Sequence, residues 1–311
     1  MSKRIALLFS GQGAQVVGMG HDLAQKYPVV ADLFARADAI LDRPLSRLTF
    51  HGPVEELTLT KNCQPALFVH GLACLAALRQ EIGDFPIAAA AGLSLGEFTA
   101  HAAAGTFDFD TGLRLVGKRG RFMQEACEQT QGSMAAMIGG DEASVRALAA
   151  ETDVDVANLN SPGQIVISGE TASVALAVSL AKERGIRMAK LLNVAGAYHS
   201  RLMNSAFVRL GRELAAIELH TPRFPVICNT DAAPVSDADE IRESLEDQVT
   251  GTVRWSDSIE HLIDREGCEL FIELGPGGVL AGLLQRTRKG TPCVSISDCE
   301  SLAAVLAVVR G

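Results

Sequence analysis

The stretch Ala88-Ala89-Ala90-Ala91-Gly92-Leu93-Ser94-Leu95-Gly96 decides the fold class of this chain and its chemistry. A short apolar run at residues 87–91 leads into a serine that lies between two glycines in the spacing G-x-S-x-G. This pattern is typical of a strand-to-helix turn, in which small residues let the backbone turn sharply and leave the serine Oγ exposed above a sheet. The next backbone N–H lies at a helix N-terminus, where it can stabilise a developing oxyanion. The stretch therefore predicts an α/β protein with Ser94 as a candidate nucleophile.

Composition and net charge limit the classes of protein to consider. The chain has 311 residues, of which 48% are hydrophobic and 21% charged, as is typical of a packed globular protein. The net charge of −9 at pH 7 and the lack of a Lys/Arg-rich run argue against a nucleic-acid partner. Arg114, Lys118, Arg119 and Arg121 form a local basic group that could face an acidic partner, although a solvated helix face is the simpler interpretation for most of them.

Cysteine usage and hydropathy predict a cytoplasmic location. The seven cysteines are scattered and form no C-x-x-C pair, so we expect neither a disulfide framework nor a zinc site. The apolar run at residues 5–9 is too short for a signal peptide, and no segment has the length of a membrane span. We therefore expect a cytoplasmic protein without membrane contact, and a monomer.

Apolar periodicity divides the chain into two units. Residues 5–9 and 87–91 are predicted strands buried on both faces of a sheet, and the segments 21–41 and 65–80 have helical periodicity, with Pro65 at the first helical position. Residues 131–198 contain the order strand, helix, strand, strand, helix, strand, with the last strand at 186–194, which is typical of a ferredoxin-like unit. A further strand is predicted at 225–229. We predict an α/β core formed by residues 1–130 and 199–311, with a small ferredoxin-like subdomain at 131–198 inserted into it.

Ser94 needs a general base, and His199 is the best candidate among the seven histidines. It follows a predicted strand and a short loop at the exit from the small subdomain, where it can face the core sheet. His101 lies on the same predicted helix as Ser94 but about 10 Å along its axis, too far to reach Oγ. On these observations alone, a structural histidine remains the alternative for His199. No carboxylate stands out as a third member, so a backbone carbonyl could orient the imidazole.

Two further features suit anionic ligands. Arg119, in the stretch Gly117-Lys118-Arg119-Gly120, has a planar guanidinium that can bind a carboxylate through two hydrogen bonds, although a surface arginine is the simpler interpretation of this residue alone. The loop Gly275-Pro276-Gly277-Gly278 could admit a phosphate at the start of the next helix, although a plain connection explains it better.

Six motifs occur along the chain in a fixed order. They are Gly11-Gln12-Gly13-Ala14-Gln15, Gln64-Pro65-Ala66-Leu67, Gly92-Leu93-Ser94-Leu95-Gly96-Glu97, Gly117-Lys118-Arg119-Gly120, Ala197-Tyr198-His199-Ser200 and Glu273-Leu274-Gly275-Pro276-Gly277. In this order and spacing the chain resembles the malonyl-CoA:acyl carrier protein transacylases of fatty-acid and polyketide synthesis over essentially its whole length. The resemblance implies an α/β-hydrolase-like core with an inserted ferredoxin-like subdomain, in agreement with the organisation predicted above.

The resemblance implies roles for the residues that carry the chemistry. Ser94 would take the malonyl group as an acyl ester, and His199 would be its base. The backbone N–H groups of Gln12 and Leu95 would form the oxyanion hole. Arg119 would bind the free carboxylate of the malonyl group.

The resemblance also implies the group that orients the histidine and the walls of the pocket. In this family a main-chain carbonyl just before a tryptophan orients the histidine, which points to Arg254 before Trp255. Gln64, Leu93 and Tyr198 would line the pocket. Leu93 departs from the histidine that usually precedes the nucleophile, which leaves fine substrate selection open. Tyr198 replaces the phenylalanine that often accompanies malonyl selectivity, and its bulky ring still favours malonyl over methylmalonyl.

A further departure is Ser10, which replaces the usual proline before Gly-Gln-Gly and is a minor change. The expected reaction is ping-pong transfer of the malonyl group from malonyl-CoA to the phosphopantetheine thiol of an acyl carrier protein, without a metal or other cofactor. It would serve fatty-acid synthesis or, in trans, a polyketide synthase. A thioester hydrolase on the same scaffold is one alternative, although it would have no use for Arg119. A catalytically silent docking module is another, although Ser94 and His199 weigh against it.

Overall fold

The computed structural model describes residues 3–310, which form two β-sheets and the helices around them. The strands are β1 (Ile5–Phe9), β2 (Ile87–Gly92), β3 (Gly132–Ile138), β4 (Asp155–Ser161), β5 (Gln164–Glu170), β6 (Met188–Leu191), β7 (Val226–Ile227), β8 (Leu270–Leu274) and β9 (Cys293–Ile296). The α-helices are α1 (His21–Lys26), α2 (Pro28–Leu41), α3 (Leu45–His51), α4 (Val54–Thr58), α5 (Thr60–Ile82), α6 (Leu95–Ala104), α7 (Phe109–Gln129), α8 (Glu142–Thr152), α9 (Thr171–Leu180), α10 (Asn204–Ala215), α11 (Ala238–Asp247), α12 (Trp255–Asp264), α13 (Val279–Thr287) and α14 (Cys299–Arg310). None of the helices within residues 3–310 is long and apolar enough to cross a membrane.

The larger sheet is parallel and has the strand order β7-β2-β1-β8-β9. Every residue of β1 is buried, because helices cover both faces of the sheet. Leu7 and Phe9 pack with α5, α6 and α7 on one face, whereas Ala6 and Leu8 pack with Trp255 of α12 on the other. Strands buried on both faces are typical of parallel sheets, and the predicted α/β class is confirmed.

The smaller sheet is antiparallel and separate, with the strand order β4-β5-β3-β6. Its elements follow the predicted sequence β3-α8-β4-β5-α9-β6 and have their own hydrophobic core. Backbone hydrogen bonds of Val253, with Ala157 at 2.8 Å and with Leu159 at 2.9 Å, attach β4 to the larger unit. The two sheets thus face each other across a cleft whose walls come from both.

The prediction that Pro65 begins its helix is wrong. Pro65 lies inside α5, which already begins at Thr60. A proline has no N–H, so the carbonyl of the residue four positions earlier, Lys61, loses its helical donor. The guanidinium of Arg43 supplies one instead, since its Nη2 donates to the Lys61 carbonyl at 2.7 Å. A side chain from another segment therefore supplies the hydrogen-bond donor that the proline lacks. The sequence around Pro65 gives no sign of this donor.

Three other predicted elements are shorter or divided. The helical segment 21–41 breaks into α1 and α2, because Pro28 cannot donate and Tyr27 before it is extended (φ −115°, ψ 110°). The strand predicted at 186–194 shortens to β6, since the N–H of Ile186 caps the preceding helical turn through the Ala181 carbonyl at 3.0 Å. The strand predicted at 225–229 shortens to β7, because Asn229 makes other contacts: its side chain accepts from the Ser94 N–H and its backbone N–H donates to Glu97.

Candidate active site

Ser94 lies in the turn that joins β2 to α6, with φ 54° and ψ −109°. A positive φ is uncommon for a residue with a side chain, and here the turn enforces it. The glycines on either side permit the close approach: a Cβ added to Gly92 would lie 1.9 Å from the carbonyl carbon of Gly96, and one added to Gly96 would lie 2.1 Å from the Phe9 oxygen. The predicted strand-to-helix turn is therefore present.

His199 contacts Ser94 directly. Its Nε2 lies 2.9 Å from the Ser94 Oγ, and its Nδ1 lies 2.7 Å from the main-chain oxygen of Gln248. A carbonyl oxygen can only accept, so Nδ1 carries the proton and Nε2 accepts from the Ser94 hydroxyl. This arrangement is a serine–histidine dyad oriented by a backbone carbonyl.

The prediction that Arg254 supplies this carbonyl is wrong, because Gln248 supplies it. The Arg254 oxygen is already used, since it accepts from the backbone N–H and the hydroxyl of Ser258, both at 3.0 Å. Arg254 is the N-cap residue of α12, and the carbonyl of such a residue accepts the first hydrogen bond of its helix. Its side chain pairs with Asp257 instead of reaching the site.

The electrostatic surroundings keep His199 neutral. Burial, followed by the positive charge of Arg119, lowers the pKa of His199 to about 4. Hydrogen bonds from the imidazole to backbone oxygens raise this pKa, but by less than burial and Arg119 lower it. At neutral pH the imidazole is therefore unprotonated and able to take a proton from Ser94.

Arg119 is buried in the site, with 1% of its surface exposed. Its Nη2 donates to the Ser94 Oγ at 3.1 Å and to the Gln248 Oε1 at 2.6 Å, and its Nη1 donates to the Gln64 Oε1 at 2.7 Å. The guanidinium lies over the ring of Phe98, 5.1 Å from its centroid. Burial lowers the pKa of Arg119 to about 10, which leaves it protonated at neutral pH. A full positive charge is thus held beside the serine.

The other basic side chains of α7 turn away from the site. Lys118 pairs with Glu213 at 2.5 Å, and Arg121 lies 3.8 Å from Glu125. Arg114 donates to a backbone carbonyl of α2 at 3.4 Å. The interpretation of this group as a solvated helix face therefore fits these residues, and Arg119 differs from them.

Gln12 and Leu95, the two predicted oxyanion residues, lie in neighbouring segments: Gln12 in the loop after β1 and Leu95 at the start of α6. Leu95 is the first residue of α6, so its N–H has no acceptor within the helix. The loop after β1 lies against the turn: a Cβ added to Gly11 would lie 2.4 Å from the Leu93 oxygen. The side-chain amide of Gln12 donates to the Thr60 hydroxyl and to the Tyr198 hydroxyl, both at 3.3 Å. These contacts hold Gln12 in place beside the turn.

A cavity of about 680 Å³ opens onto Ser94 between the two sheets. Its core-side lining includes all three predicted pocket residues, Gln64, Leu93 and Tyr198, and the small sheet contributes Met134 and Asn158 among others. The Tyr198 hydroxyl lies 2.5 Å from the Thr60 Oγ1, which fixes its ring in the wall. This volume is within the range of small-molecule sites.

Three buried polar residues that sequence reasoning missed complete the site: Glu97, Asn229 and Gln248. Asn229 accepts from the Ser94 N–H at 2.7 Å and donates to the Gly92 oxygen at 2.8 Å, so it holds the turn from both sides. An available signal was its position after β7, because functional groups collect at the carboxyl ends of parallel strands. Neither Glu97 nor Gln248 has an equivalent signal.

Replacing Asn229 with alanine is expected to destabilise the turn. The change leaves the Ser94 N–H and the Gly92 carbonyl buried without their partner, at a cost of about 2–4 kcal/mol in the free energy of unfolding. Urea titration of both proteins measures this loss. Asn160→Ala is the matched control, because the buried Oδ1 of Asn160 has no hydrogen-bond partner among the described residues. Equal losses for the two variants would contradict the role of Asn229.

His101, the other histidine near Ser94 in the sequence, does not join the site. His101 lies inside α6, where its Nδ1 pairs with the Thr106 hydroxyl at 3.0 Å, as expected for a residue too far from Ser94. Over residues 3–310, no group of three or more His, Cys, Asp or Glu side chains is placed to hold a metal ion.

Comparison with known proteins agrees with this geometry. Residues 6–305 match the family model described as acyl transferase domain. The chain is 41% identical over 317 residues to the malonyl CoA-acyl carrier protein transacylase of Bacillus subtilis, covering 100% of this chain and 98% of that protein. The solved malonyl CoA-acyl carrier protein transacylase of Coxiella burnetii matches with a TM-score of 0.95 at 35% identity, covering 100% of this chain and 99% of that one. A malonyl-transacylase solved in complex with a type II PKS acyl-carrier protein matches with a TM-score of 0.93 at 38% identity, covering 98% and 99%. The resemblance found in the six motifs is thereby confirmed, and this chain belongs to the acyl transferase domain family, among the malonyl CoA-acyl carrier protein transacylases.

Proposed function

We propose that this protein transfers the malonyl group from malonyl-CoA to the phosphopantetheine thiol of an acyl carrier protein through an acyl ester on Ser94. The observation that carries the proposal is the position of the Ser94 Oγ, 2.9 Å from the His199 Nε2 and 3.1 Å from the Arg119 Nη2. A nucleophile, a base and a cation for a carboxylate therefore meet at one point. The names and folds of the full-length relatives support the same reaction.

In the first half-reaction Ser94 attacks the malonyl thioester. The His199 Nε2 takes the hydroxyl proton as Oγ bonds to the carbonyl carbon, and the carbonyl oxygen becomes an oxyanion. The backbone N–H groups of Gln12 and Leu95 are the proposed donors to that oxyanion. When the tetrahedral intermediate collapses, the C–S bond breaks and CoA leaves as its thiol with the proton that His199 held. The acyl-serine ester remains.

In the second half-reaction the carrier thiol reverses these steps. His199, neutral again, takes the thiol proton, and the sulfur attacks the ester carbon. Collapse of the second tetrahedral intermediate breaks the C–Oγ bond and returns the proton to Ser94. No net proton or electron is gained or lost, so the residues of the dyad suffice for both halves.

Arg119 is the proposed partner of the free malonyl carboxylate. In the malonyl group one methylene separates this carboxylate from the reacting carbonyl, so it lies close to Oγ when the ester forms. The guanidinium donates to Oγ, and its Nε has no hydrogen-bond partner among the described residues. An acyl group without a carboxylate would leave this buried cation without an anionic partner, which favours malonyl over acetyl.

The test is transfer to a carrier protein. Incubation with malonyl-CoA and the holo form of an acyl carrier protein is expected to increase the carrier mass by one malonyl group, as measured by intact-protein mass spectrometry. The apo carrier, which lacks phosphopantetheine, is the control and stays unchanged. Release of malonate without carrier loading would instead indicate a thioester hydrolase. A complete lack of reaction would indicate a docking module.

The pH dependence of acylation follows from the lowered pKa of His199. An imidazole with the ordinary pKa of about 6.5 would be mostly protonated at pH 5 and would lose most of its activity as a base. With a pKa of about 4, His199 is still mostly neutral there. The rate constant for acylation by acetyl-CoA, in single-turnover measurements, is therefore expected to change less than about twofold between pH 7 and pH 5. A tenfold or greater fall would contradict a neutral, buried base.

We further propose the finer features that the sequence predicts. The arrangement of a parallel sheet around a strand-turn-helix serine supports an α/β-hydrolase-like core formed by residues 1–130 and 199–311. The strand order of the smaller sheet supports a ferredoxin-like subdomain at 131–198. A cytoplasmic location and a monomeric state stay predictions.

A further inference from the structure

A buried carboxylate that the transfer reaction does not use, Glu97, lies behind the catalytic turn. Its side chain is fully buried. Its Oε2 accepts from the Gln248 side-chain amide at 2.7 Å and from the Asn229 backbone N–H at 3.0 Å, and its Oε1 accepts from the Ser244 hydroxyl at 3.2 Å. A carboxylate removed from water is costly to ionise unless a positive charge compensates it.

Arg119 supplies the compensating charge. Its hydrogen-bond acceptors in the site are all neutral, and within residues 3–310 no carboxylate oxygen lies within 4.0 Å of its nitrogens. Gln248 connects the two opposite charges, because its Oε1 accepts from Arg119 at 2.6 Å and its Nε2 donates to Glu97 at 2.7 Å. One oriented amide therefore bridges a buried cation and a buried anion, and each of the two charges stabilises the other.

We propose that Glu97 is the resident counter-ion of Arg119, and that its charge sets how strongly the site prefers an acyl group with a carboxylate of its own. The inference rests on the proposed function, since it concerns how Arg119 selects the malonyl group. Before a malonyl group binds, the ionised Glu97 offsets part of the guanidinium charge through Gln248. A malonyl carboxylate that arrives at Arg119 meets this second anion. Protonation of Glu97 removes the competition and strengthens binding of the malonyl carboxylate.

The surroundings of Glu97 bring its titration into the neutral range. Burial raises the pKa of Glu97 to about 7, although the hydrogen bonds from Gln248, Asn229 and Ser244 and the charge of Arg119 act in the opposite direction. A malonyl carboxylate on Arg119 would raise it further, because two anions would then share one cation. Binding of malonyl to the site and proton uptake by Glu97 are therefore linked.

The pKa values of the buried thiols and histidines around α6 are shifted away from neutral pH. Strands β1 and β2 contribute none, and α11 presents the Ser244 hydroxyl. The buried thiols have raised pKa values, the buried histidines have lowered ones, and Arg119 stays protonated. These groups are Cys63, His70 and Cys74 of α5, His101 of α6 itself, Arg119 of α7, and His199 and Cys228 from the neighbouring loops.

The readout is the ratio of acylation rates from malonyl-CoA and acetyl-CoA as a function of pH. In the wild-type protein this ratio is expected to fall by roughly three- to tenfold between about pH 6 and pH 8.5, because Glu97 loses its proton and competes for Arg119. Both thioesters carry the same CoA group and react through the same base, His199. Titration of the CoA phosphates and of His199 therefore changes both rates equally and cancels in their ratio. If Glu97 had a purely structural role, the ratio of the two acylation rates would not change with pH.

Glu97→Gln is the decisive variant. Its amide has the size of the carboxyl group, can accept from Gln248 and donate to Ser244, and has no charge. The ratio is expected to be independent of pH and to equal the high wild-type value found at low pH. Glu243→Gln, an exposed change on α11, is the matched control and keeps the wild-type slope. A flat ratio in the wild type, or an unchanged slope in Glu97→Gln, would overturn the inference.

A second measurement needs no variant. Formation of the malonyl-enzyme near pH 7 is expected to take up a fraction of a proton relative to formation of the acetyl-enzyme, measured with an indicator dye in weak buffer. Equal proton changes for the two esters would exclude the linkage, even if Glu97→Gln fails to fold. If neither ester forms an acyl-enzyme, the proposed function itself is wrong, and this outcome is distinct from a ratio that does not change with pH.

Discussion

Ser94→Ala is expected to abolish the covalent malonyl-enzyme and to lower transfer to the carrier protein by about 10⁴- to 10⁶-fold, the range seen when a serine enzyme loses its nucleophile. The reason is geometric, because the Ser94 Oγ is the hydroxyl within hydrogen-bond distance of the neutral His199 Nε2. Without Oγ, the imidazole has no nucleophile to deprotonate. Intact-protein mass spectrometry after brief mixing with malonyl-CoA measures the adduct directly.

The matched control for this prediction is Ser168→Ala. Ser168 is buried like Ser94, and its Oγ has no hydrogen-bond partner among the described residues, but it lies on β5 of the smaller sheet. The control is expected to form the adduct at the wild-type rate. An adduct that persists in Ser94→Ala would place the acyl group on another side chain and would refute the dyad.

Local sequence signals were sufficient for the parts of this site that depend on short-range geometry. The G-x-S-x-G spacing predicts the turn around Ser94, because Gly92 and Gly96 are needed where the backbone of β2 and α6 nearly touch. The position of His199 after the small subdomain predicts its approach to the core. Residue type identifies Arg119 as a carboxylate partner, although the family resemblance was needed to distinguish it from its basic neighbours on α7.

The misassigned carbonyl shows where such reasoning fails. The contact between His199 and Gln248 joins positions 49 residues apart, and the sequence around Gln248 has no distinctive pattern. A carbonyl oxygen can accept from the histidine only if it does not already accept the hydrogen bonds of a helix. Because α12 begins at Trp255, the Arg254 oxygen already accepts hydrogen bonds within that helix. The Gln248 oxygen accepts from His199 instead. A shift of a few residues in a helix boundary decides such a role, and boundaries are the least certain part of a sequence prediction.

The buried polar network could not be predicted for a related reason. Glu97 follows the nucleophile on an amphipathic pattern that does not distinguish a solvated carboxylate from a buried one, and acidic residues are common in the first turn of a helix. Its burial follows from packing of α6 against the sheet and from donors contributed by Ser244 and Asn229, more than 130 residues away in the chain. Tertiary structure alone brings these groups together.

Arg119→Ala is expected to lower the rate of acylation by malonyl-CoA relative to acetyl-CoA by about 10- to 150-fold. A charge-assisted pair of hydrogen bonds to a carboxylate contributes about 1.5–3 kcal/mol, and each 1.36 kcal/mol is a factor of ten. Acetyl has no carboxylate and loses no such interaction. Competition between the two esters in one reaction, with the acyl-enzymes counted by mass, measures the change in preference.

Two further variants separate the charge of Arg119 from its geometry. Arg119→Lys keeps the positive charge but loses the planar fork, so we expect it to retain only part of the malonyl preference. Arg121→Ala, two residues further along α7, removes an exposed arginine whose guanidinium lies 3.8 Å from Glu125, and it is expected to leave the preference unchanged. If Arg119→Ala keeps the wild-type preference, the carboxylate is bound elsewhere. The buried cation would then serve only to position Ser94 and Gln248, since it donates hydrogen bonds to both.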